Sequence, residues 1–173
     1  MQWGPLLADS LGAIAAQDPG WQHRLTDILT TSKTPRAIHL AIFVEPYLTY
    51  FLDGRKTVES RFSVHRCAPY RCIEKGDVVL LKRSGGPVVG ICQVSHAWFY
   101  RLDPKTWSNI KAEFTEALCA QDPQFWIERQ RASFATLMQV EHLRSIDPIK
   151  WPKEDQRGWV VLRARSQQLA LEL

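Results

Sequence analysis

A lysine, a glutamate and an arginine stand close together at Lys56, Glu59 and Arg61, in the run Gly54-Arg55-Lys56-Thr57-Val58-Glu59-Ser60-Arg61. A lysine can change its protonation, a carboxylate can move protons, and the planar guanidinium fork matches a phosphate. Facing one hollow, the three make a small reactive site or an anion-binding cleft; facing water, they make a solvated rim. Glu59 and Arg61 share the parity of an extended strand and so lie on one of its faces. Lys56 has the opposite parity and joins them only if the chain turns between Gly54 and Thr57.

Further candidates surround this run. Tyr47 and Tyr50 are spaced i, i+3 and share a helix face, from which a phenol could stack on a base or donate to a phosphate. Arg55 adds a second guanidinium. Basic residues continue at Arg66, Arg71, Lys75, Lys82 and Arg83, which reads as a local positive face rather than a basic protein. Ser133, where a helix hands over to a closing strand, could reach the hollow from the opposite wall. Trp98-Phe99-Tyr100 is the place to look for a base-stacking platform. His65-Arg66-Cys67 followed by Cys72 is the nearest approach to a metal cluster, but no second compact pair completes the four ligands of a zinc site.

The elements that must position these groups follow from pattern. Residues 1–35 carry two short helices, with Leu6, Leu7, Leu11, Ile14 and Ala15 in the first and Trp21, Leu25, Ile28 and Leu29 in the second, then a polar linker. Residues 37–44 form a continuous apolar stretch suited to a strand buried on both faces. Pro46 opens a short helix that Gly54 ends. Strands are expected at 57–62, 77–82 and 88–95, with Ser84-Gly85-Gly86-Pro87 as a hairpin connection and Gly90 as a bulge or barrel corner. Asp103-Pro104 and Asp122-Pro123 each open a helix by a cap and an N1 proline. Strands at 134–143 and 158–162 close the domain. The fold class is α+β: a small barrel of five to six mostly antiparallel strands with flanking helices. Its parts are an N-terminal helical extension and linker at 1–35, the barrel domain at 36–165 and a tail at 166–173.

Composition sets the outer bounds. Hydrophobic residues make up 45% and charged residues 23% of the 173, the balance of a globular domain rather than a disordered chain. The formal charge of +4 permits contact with phosphates without demanding it. No apolar run is long enough to span a bilayer, and the first residues lack the basic start of a secretory signal, so a cytoplasmic protein without a membrane partner is expected.

Gly54-x-Lys56-x-x-Glu59-x-Arg61, after a short helix and before the strand start Gly76-Asp77-Val78-Val79 and the return Val88-Val89-Gly90, resembles the ASCH domain of the PUA-like superfold. The resemblance implies a small barrel with a cleft between the early helix and the sheet. It also implies RNA or nucleotide as partner, with RNA cleavage or amide hydrolysis of an acylated cytidine among the activities. In the amide-hydrolysing subgroup a threonine stands where this chain has Glu59. On that reading Lys56, Glu59, Tyr50 and Ser133 are the catalytic candidates, and Arg55, Arg61, Tyr47, Lys82 and Arg83 the nucleic-acid contacts. The resemblance fixes no cofactor; a divalent metal, where one takes part, would be held mainly through phosphate and Glu59. A non-catalytic RNA- or protein-binding module is the alternative of another class, with the N-terminal helices as the docking element for a protein.

Overall fold

The computed structural model describes residues 4–30, 34–152 and 157–166. In chain order the elements are α1 (Gly4–Gln17), α2 (Pro19–Thr30), β1 (Ile38–Phe43), α3 (Tyr47–Leu52), β2 (Val58–Ser63), β3 (Val78–Arg83), β4 (Val88–Arg101), α4 (Pro104–Phe114), α5 (Pro123–Ile127), β5 (Phe134–Ile149) and β6 (Trp159–Arg163). The six strands form one sheet in the order β2-β5-β4-β3-β1-β6. Only β1 and β3 run parallel; every other pairing is antiparallel. This is a small α+β half-barrel of mostly antiparallel strands with flanking helices, as the sequence pattern implies.

Alternation along the strands explains how the sheet is covered. Ile38 and Leu40 of β1, with Val78 and Leu80 of β3, pack beneath Leu7, Leu11, Ile14, Trp21, Leu25 and Ile28 of the first two helices. The next residues along, Ala41 and Phe43 with Val79 and Leu81, turn to the other face and pack with Leu48 and Phe51 of α3. Burial on both faces is why residues 37–44 read as a continuous apolar run. A third cluster joins Ile110, Phe114, Phe125 and Trp126 of α4 and α5 to Val58, Ala135 and Leu137, so these helices cover the outer face of β2 and β5. Asp103 and Asp122 cap them as expected, accepting from Thr106 N–H at 2.7 Å and Gln124 N–H at 2.9 Å. Among the described residues no helix is long and apolar enough to cross a membrane.

Two strands outrun their sequence signal. β4 continues past Ser95 to Arg101, and β5 past Leu143 to Ile149. The cause is irregular register: their pairing shifts at Val88/Gly90, Ile91/Gln93 and Val94/His96. Each shift resets the inward–outward alternation while the strand goes on, and bends it. α3 begins at Tyr47, with Pro46 in the position preceding it. The linker residues 31–33 and the tail from 167 lie outside the described residues.

Asp77, at the start of β3, pins the centre of the sheet. Its carboxylate accepts from Ala37 N–H at 2.7 Å, Glu74 N–H at 2.8 Å and Arg165 Nη2 at 2.5 Å, and lies 3.2 Å from His39 Nε2. Trp159 Nε1 donates to His39 Nδ1 at 3.1 Å. An indole can only donate, so the His39 proton sits on Nε2, facing Asp77.

Gly90 combines the bulge with a close approach. A Cβ there would meet Leu52 Cδ2 at 2.9 Å, Leu81 Cδ1 at 3.0 Å and the Arg144 carbonyl oxygen at 3.3 Å. Gly90→Ala should therefore overpack the contact between α3 and the sheet and lose about 1–3 kcal/mol in a urea titration. An unchanged midpoint would show that α3 can move aside without cost.

Candidate functional site

The turn that Lys56 needs is built by backbone hydrogen bonds. Gly54, at φ +82°, ends α3 in the left-handed region. Lys56 N–H then donates back to Tyr50 O at 2.8 Å, and the N–H groups of Thr57 and Val58 share Ala117 O at 2.9 and 3.1 Å. This fold-back brings the lysine of opposite parity round to the face of Glu59. Lys56 Nζ lies 3.0 Å from Glu59 Oε2, and Arg61 Nε lies 2.9 Å from Glu59 Oε1. Lys56 is 3% and Glu59 6% exposed. The ammonium also makes a short contact with Val58 O.

The distances make two ion pairs, but the angles do not complete them. Glu59 Oε2 and Arg61 Nε are buried without an aligned hydrogen bond, so the network holds them by charge rather than by directed bonds. Arg61 has a further task. Its Nη1 donates to Ile42 O at 2.9 Å and Gly158 O at 3.1 Å, and its guanidinium lies 5.0 Å from the Phe43 ring and 5.2 Å from the Trp159 ring. β2 is one edge of the sheet, while β1 and β6 are the last two strands at the other. Arg61 therefore spans the seam where the curled sheet meets itself.

A cleft of about 570 Å³ opens along this seam. Lys56, Glu59 and Arg61 line it together with Tyr47, Phe62 and Phe125, and Arg129 stands at its wall. Arg129 projects from the turn after α5, with its guanidinium 3.7 Å from the Phe125 ring centre and Nη1 donating to Phe125 O at 2.7 Å. The lining cations Lys56, Arg61 and Arg129 outnumber the carboxylates Glu59 and Glu128 by one, which leaves the cleft a net positive charge. Burial holds the Lys56 ammonium below its ordinary range, with Glu59 opposing. It raises the Tyr47 phenol, with Arg129 opposing. It lowers the Arg129 guanidinium, with Tyr47 and Glu128 opposing.

The donor set does not fit a divalent cation. Both oxygens of Glu59 face cations, and Glu128, the other lining carboxylate, is 3.5 Å from Arg129. Among the described residues no group of three or more His, Cys, Asp or Glu side chains is placed to hold a metal.

Of the residues singled out from sequence, Tyr47, Lys56, Glu59 and Arg61 line the cleft, and the others do not. Tyr50 carries the Arg55 guanidinium 4.2 Å from its ring centre, and Arg55 is held by Asp53 at 2.6 Å on the solvent side. Ser133 lies between strands, its N–H donating to Ser63 O and its carbonyl accepting from Leu102 N–H. Lys82 is buried and folds over its hairpin, donating to Gly86 O at 2.5 Å. Arg83 pairs with Glu45. Burial of β3 on both faces explains Lys82: two residues on from Leu80 it shares the side that Val78 and Leu80 bury, and a lysine on such a strand meets no water either way. Sequence reasoning missed Phe43, Phe62, Phe125 and Arg129 as lining groups. Arg129 at i+4 from Phe125 was a usable signal, but nothing local says that α5 lies across the seam.

Removing one member of the buried pair leaves the other charge uncompensated. Lys56→Met should cost about 3–5 kcal/mol in denaturant, while the double variant Lys56→Met/Glu59→Leu should recover part of it. If the single variant costs nothing, the pair does not support the fold. Titration gives an independent check. Lys56 ionises below its ordinary 10.5 when folded and near that value when unfolded. Between the two, the unfolded chain holds the extra proton, so stability rises with pH there. Relative to Lys56→Met, the wild-type chain should gain stability with rising pH over that interval, read by urea titration; a relative fall would reverse the assignment.

No family model matches the chain. A comparison with curated proteins likewise finds no match. Solved structures do match. The crystal structure of ASCH from Zymomonas mobilis is similar at TM-score 0.59 and 12% identity, covering 74% of this chain and 89% of that one. Structures of two mutants of the same protein are similar at TM-score 0.58 and 13% identity, covering 74% and 75% of this chain and 91% of each of theirs. At such identity the likeness is one of fold, and it agrees with the resemblance carried by the Gly54–Arg61 motif: the chain has the fold of the ASCH structures.

Proposed function

We propose that the seam cleft binds a nucleotide unit of single-stranded RNA. The observation that carries this reading is the pairing of two guanidiniums with aromatic rings in one cleft of about 570 Å³. That is a volume suited to a small ligand. Arg61 and Arg129 face a phosphate; Arg61 Nη2 has no protein partner among the described residues, and the fork suits bidentate recognition. Tyr47, Phe62 and Phe125 supply apolar surface for a base. The ASCH-type fold supports the same partner through the RNA binding associated with that family.

A second reading, cleavage of the bound strand, draws on Glu59, the carboxylate that lines the cleft between Lys56 and Arg61. Glu59 would take the proton of a ribose 2′-hydroxyl as its oxygen attacks phosphorus. The P–O5′ bond then breaks, and O5′ takes a proton from the Tyr47 phenol or the Lys56 ammonium. Arg129 would stabilise the charge gathering on the phosphoryl oxygens. Amide hydrolysis of an acylated nucleoside finds less support, because position 59 offers a carboxylate flanked by two cations instead of a hydroxyl.

Arg129 tests binding without disturbing the seam. Arg129→Gln should weaken a fluorescein-labelled oligouridylate by about tenfold or more in an anisotropy titration, the loss expected for a charge-assisted hydrogen bond. Equal affinity would remove the cleft from the binding surface. Cleavage of end-labelled single-stranded RNA should vanish in Glu59→Gln and persist in EDTA. A requirement for metal would overturn the assignment of this step to the cleft's own side chains.

A further inference from the structure

Cross-strand pairing extends the face of the cleft beyond its rim. Arg61 pairs with Thr136 of β5, which pairs with Phe99 of β4; in the next row Ser63 pairs with Phe134, which pairs with Arg101. Directly opposed residues share a face, so Phe99, Phe134 and Arg101 stand on the same side of the sheet as Glu59 and Arg61. The two rows are two residues apart, about 7 Å along the strands. Trp98 and Tyr100 turn the other way and pack with α4.

Tyr70, from the loop after β2, completes an aromatic triad, its ring 5.8 Å from Phe99 and 5.0 Å from Phe134. Arginines sit over the triad. Arg66 is 5.5 Å from the Phe134 ring, and Arg71 is 5.7 Å from Tyr70 and 5.9 Å from Phe99. Arg66, Arg71 and Arg101 are exposed. Among the described residues none of the three forms an ion pair with a carboxylate, whereas Arg55, Arg83, Arg129, Arg144 and Arg165 all do. Arg71 also holds φ +53°, a backbone conformation unfavourable for any residue but glycine. The turn that places it is closed by Tyr70 N–H to Cys67 O and Cys72 N–H to Pro69 O, both at 2.9 Å.

We infer that this arginine-covered triad is a second binding surface, which takes the stretch of single-stranded RNA flanking the nucleotide held in the seam cleft. This rests on the reading of the cleft given above. Unneutralised guanidiniums match the strand's phosphates, and their planes, backed by the rings, can stack with unpaired bases in any sequence. The row Arg61–Thr136–Phe99 places the triad two strands from Arg61 on the same side of the sheet.

The test compares a long probe with a short one. The triple variant Arg66→Ser/Arg71→Ser/Arg101→Ser changes only exposed side chains, and its thermal midpoint checks that it stays folded. An oligouridylate of about ten nucleotides, within the usual span of such sites, should bind this variant at least about tenfold more weakly than wild type. The slope of log affinity against log salt should fall by about 2, for three lost phosphate contacts on a single strand. Uridine monophosphate, which reaches only the cleft, should bind both proteins alike. Unchanged oligonucleotide affinity and slope, with monophosphate binding intact, would overturn the second surface and leave the cleft standing. Loss of oligonucleotide binding in the triple variant but none in Arg129→Gln would keep the surface and overturn the cleft. If polyglutamate binds as tightly as the RNA, the surface takes acidic polypeptide and the inference fails; if wild type binds neither nucleic-acid probe, both readings fail.

Discussion

Glu59 is nearly buried, on a strand at the edge of the sheet, and a lone carboxylate there would be costly. It is tolerated because Lys56 and Arg61 stand on either side at 3.0 and 2.9 Å. The same arginine reaches two backbone carbonyls across the seam. Charge pairing in the cleft and closure of the half-barrel are thus one network. Glu59 orients Arg61, Arg61 ties β2 to Ile42 and Gly158, and Lys56 keeps the carboxylate compensated from the helix side. The groups that could meet a phosphate are held by the contacts that keep the sheet curled.

That dual use ranks the side chains by how far function can be separated from folding. Lys56 and Glu59 cannot be altered without touching the buried charge balance. Arg61 carries seam bonds as well as a face toward the cleft. Arg129 is different: its contacts are with its own turn, through Phe125 O and the Phe125 ring. It contributes charge to the cleft from a separate layer, the α4–α5 cover over β2 and β5.

The eight-residue motif was readable because its logic is local. A glycine stop, a strand and period-two parity are enough to put Glu59 and Arg61 on one face, and they identify the turn on which Lys56 depends. The capped starts of α4 and α5 were equally plain, since Asp-Pro states both cap and first helical residue. What sequence could not provide was curvature. Three register shifts between β4 and β5 decide where the edges meet, and none leaves a mark beyond a glycine such as Gly90. Lys82, outwardly a surface lysine, is buried because β3 is covered on both faces, and Phe43 and Phe125, packed in the core, also line the cleft. The tripeptide Trp98-Phe99-Tyr100 divides between two faces, as strand geometry requires, with Phe99 alone turned toward the side of Glu59.

β1 and β3 are parallel neighbours, so the chain leaving Phe43 must cross over before it can begin β3 at Val78. α3, the Gly54 turn, Lys56, Glu59, Arg61 and the arginine-bearing loop after β2 all belong to that single excursion. The sheet's central register is fixed by β1, β3 and the Asp77 bonds at the excursion's far end, with no reference to its length. The edge is another matter: β2 pairs with β5 and Arg61 bonds across to Ile42 and Gly158, so a rewritten excursion would inherit a fixed centre but would have to rebuild the closure.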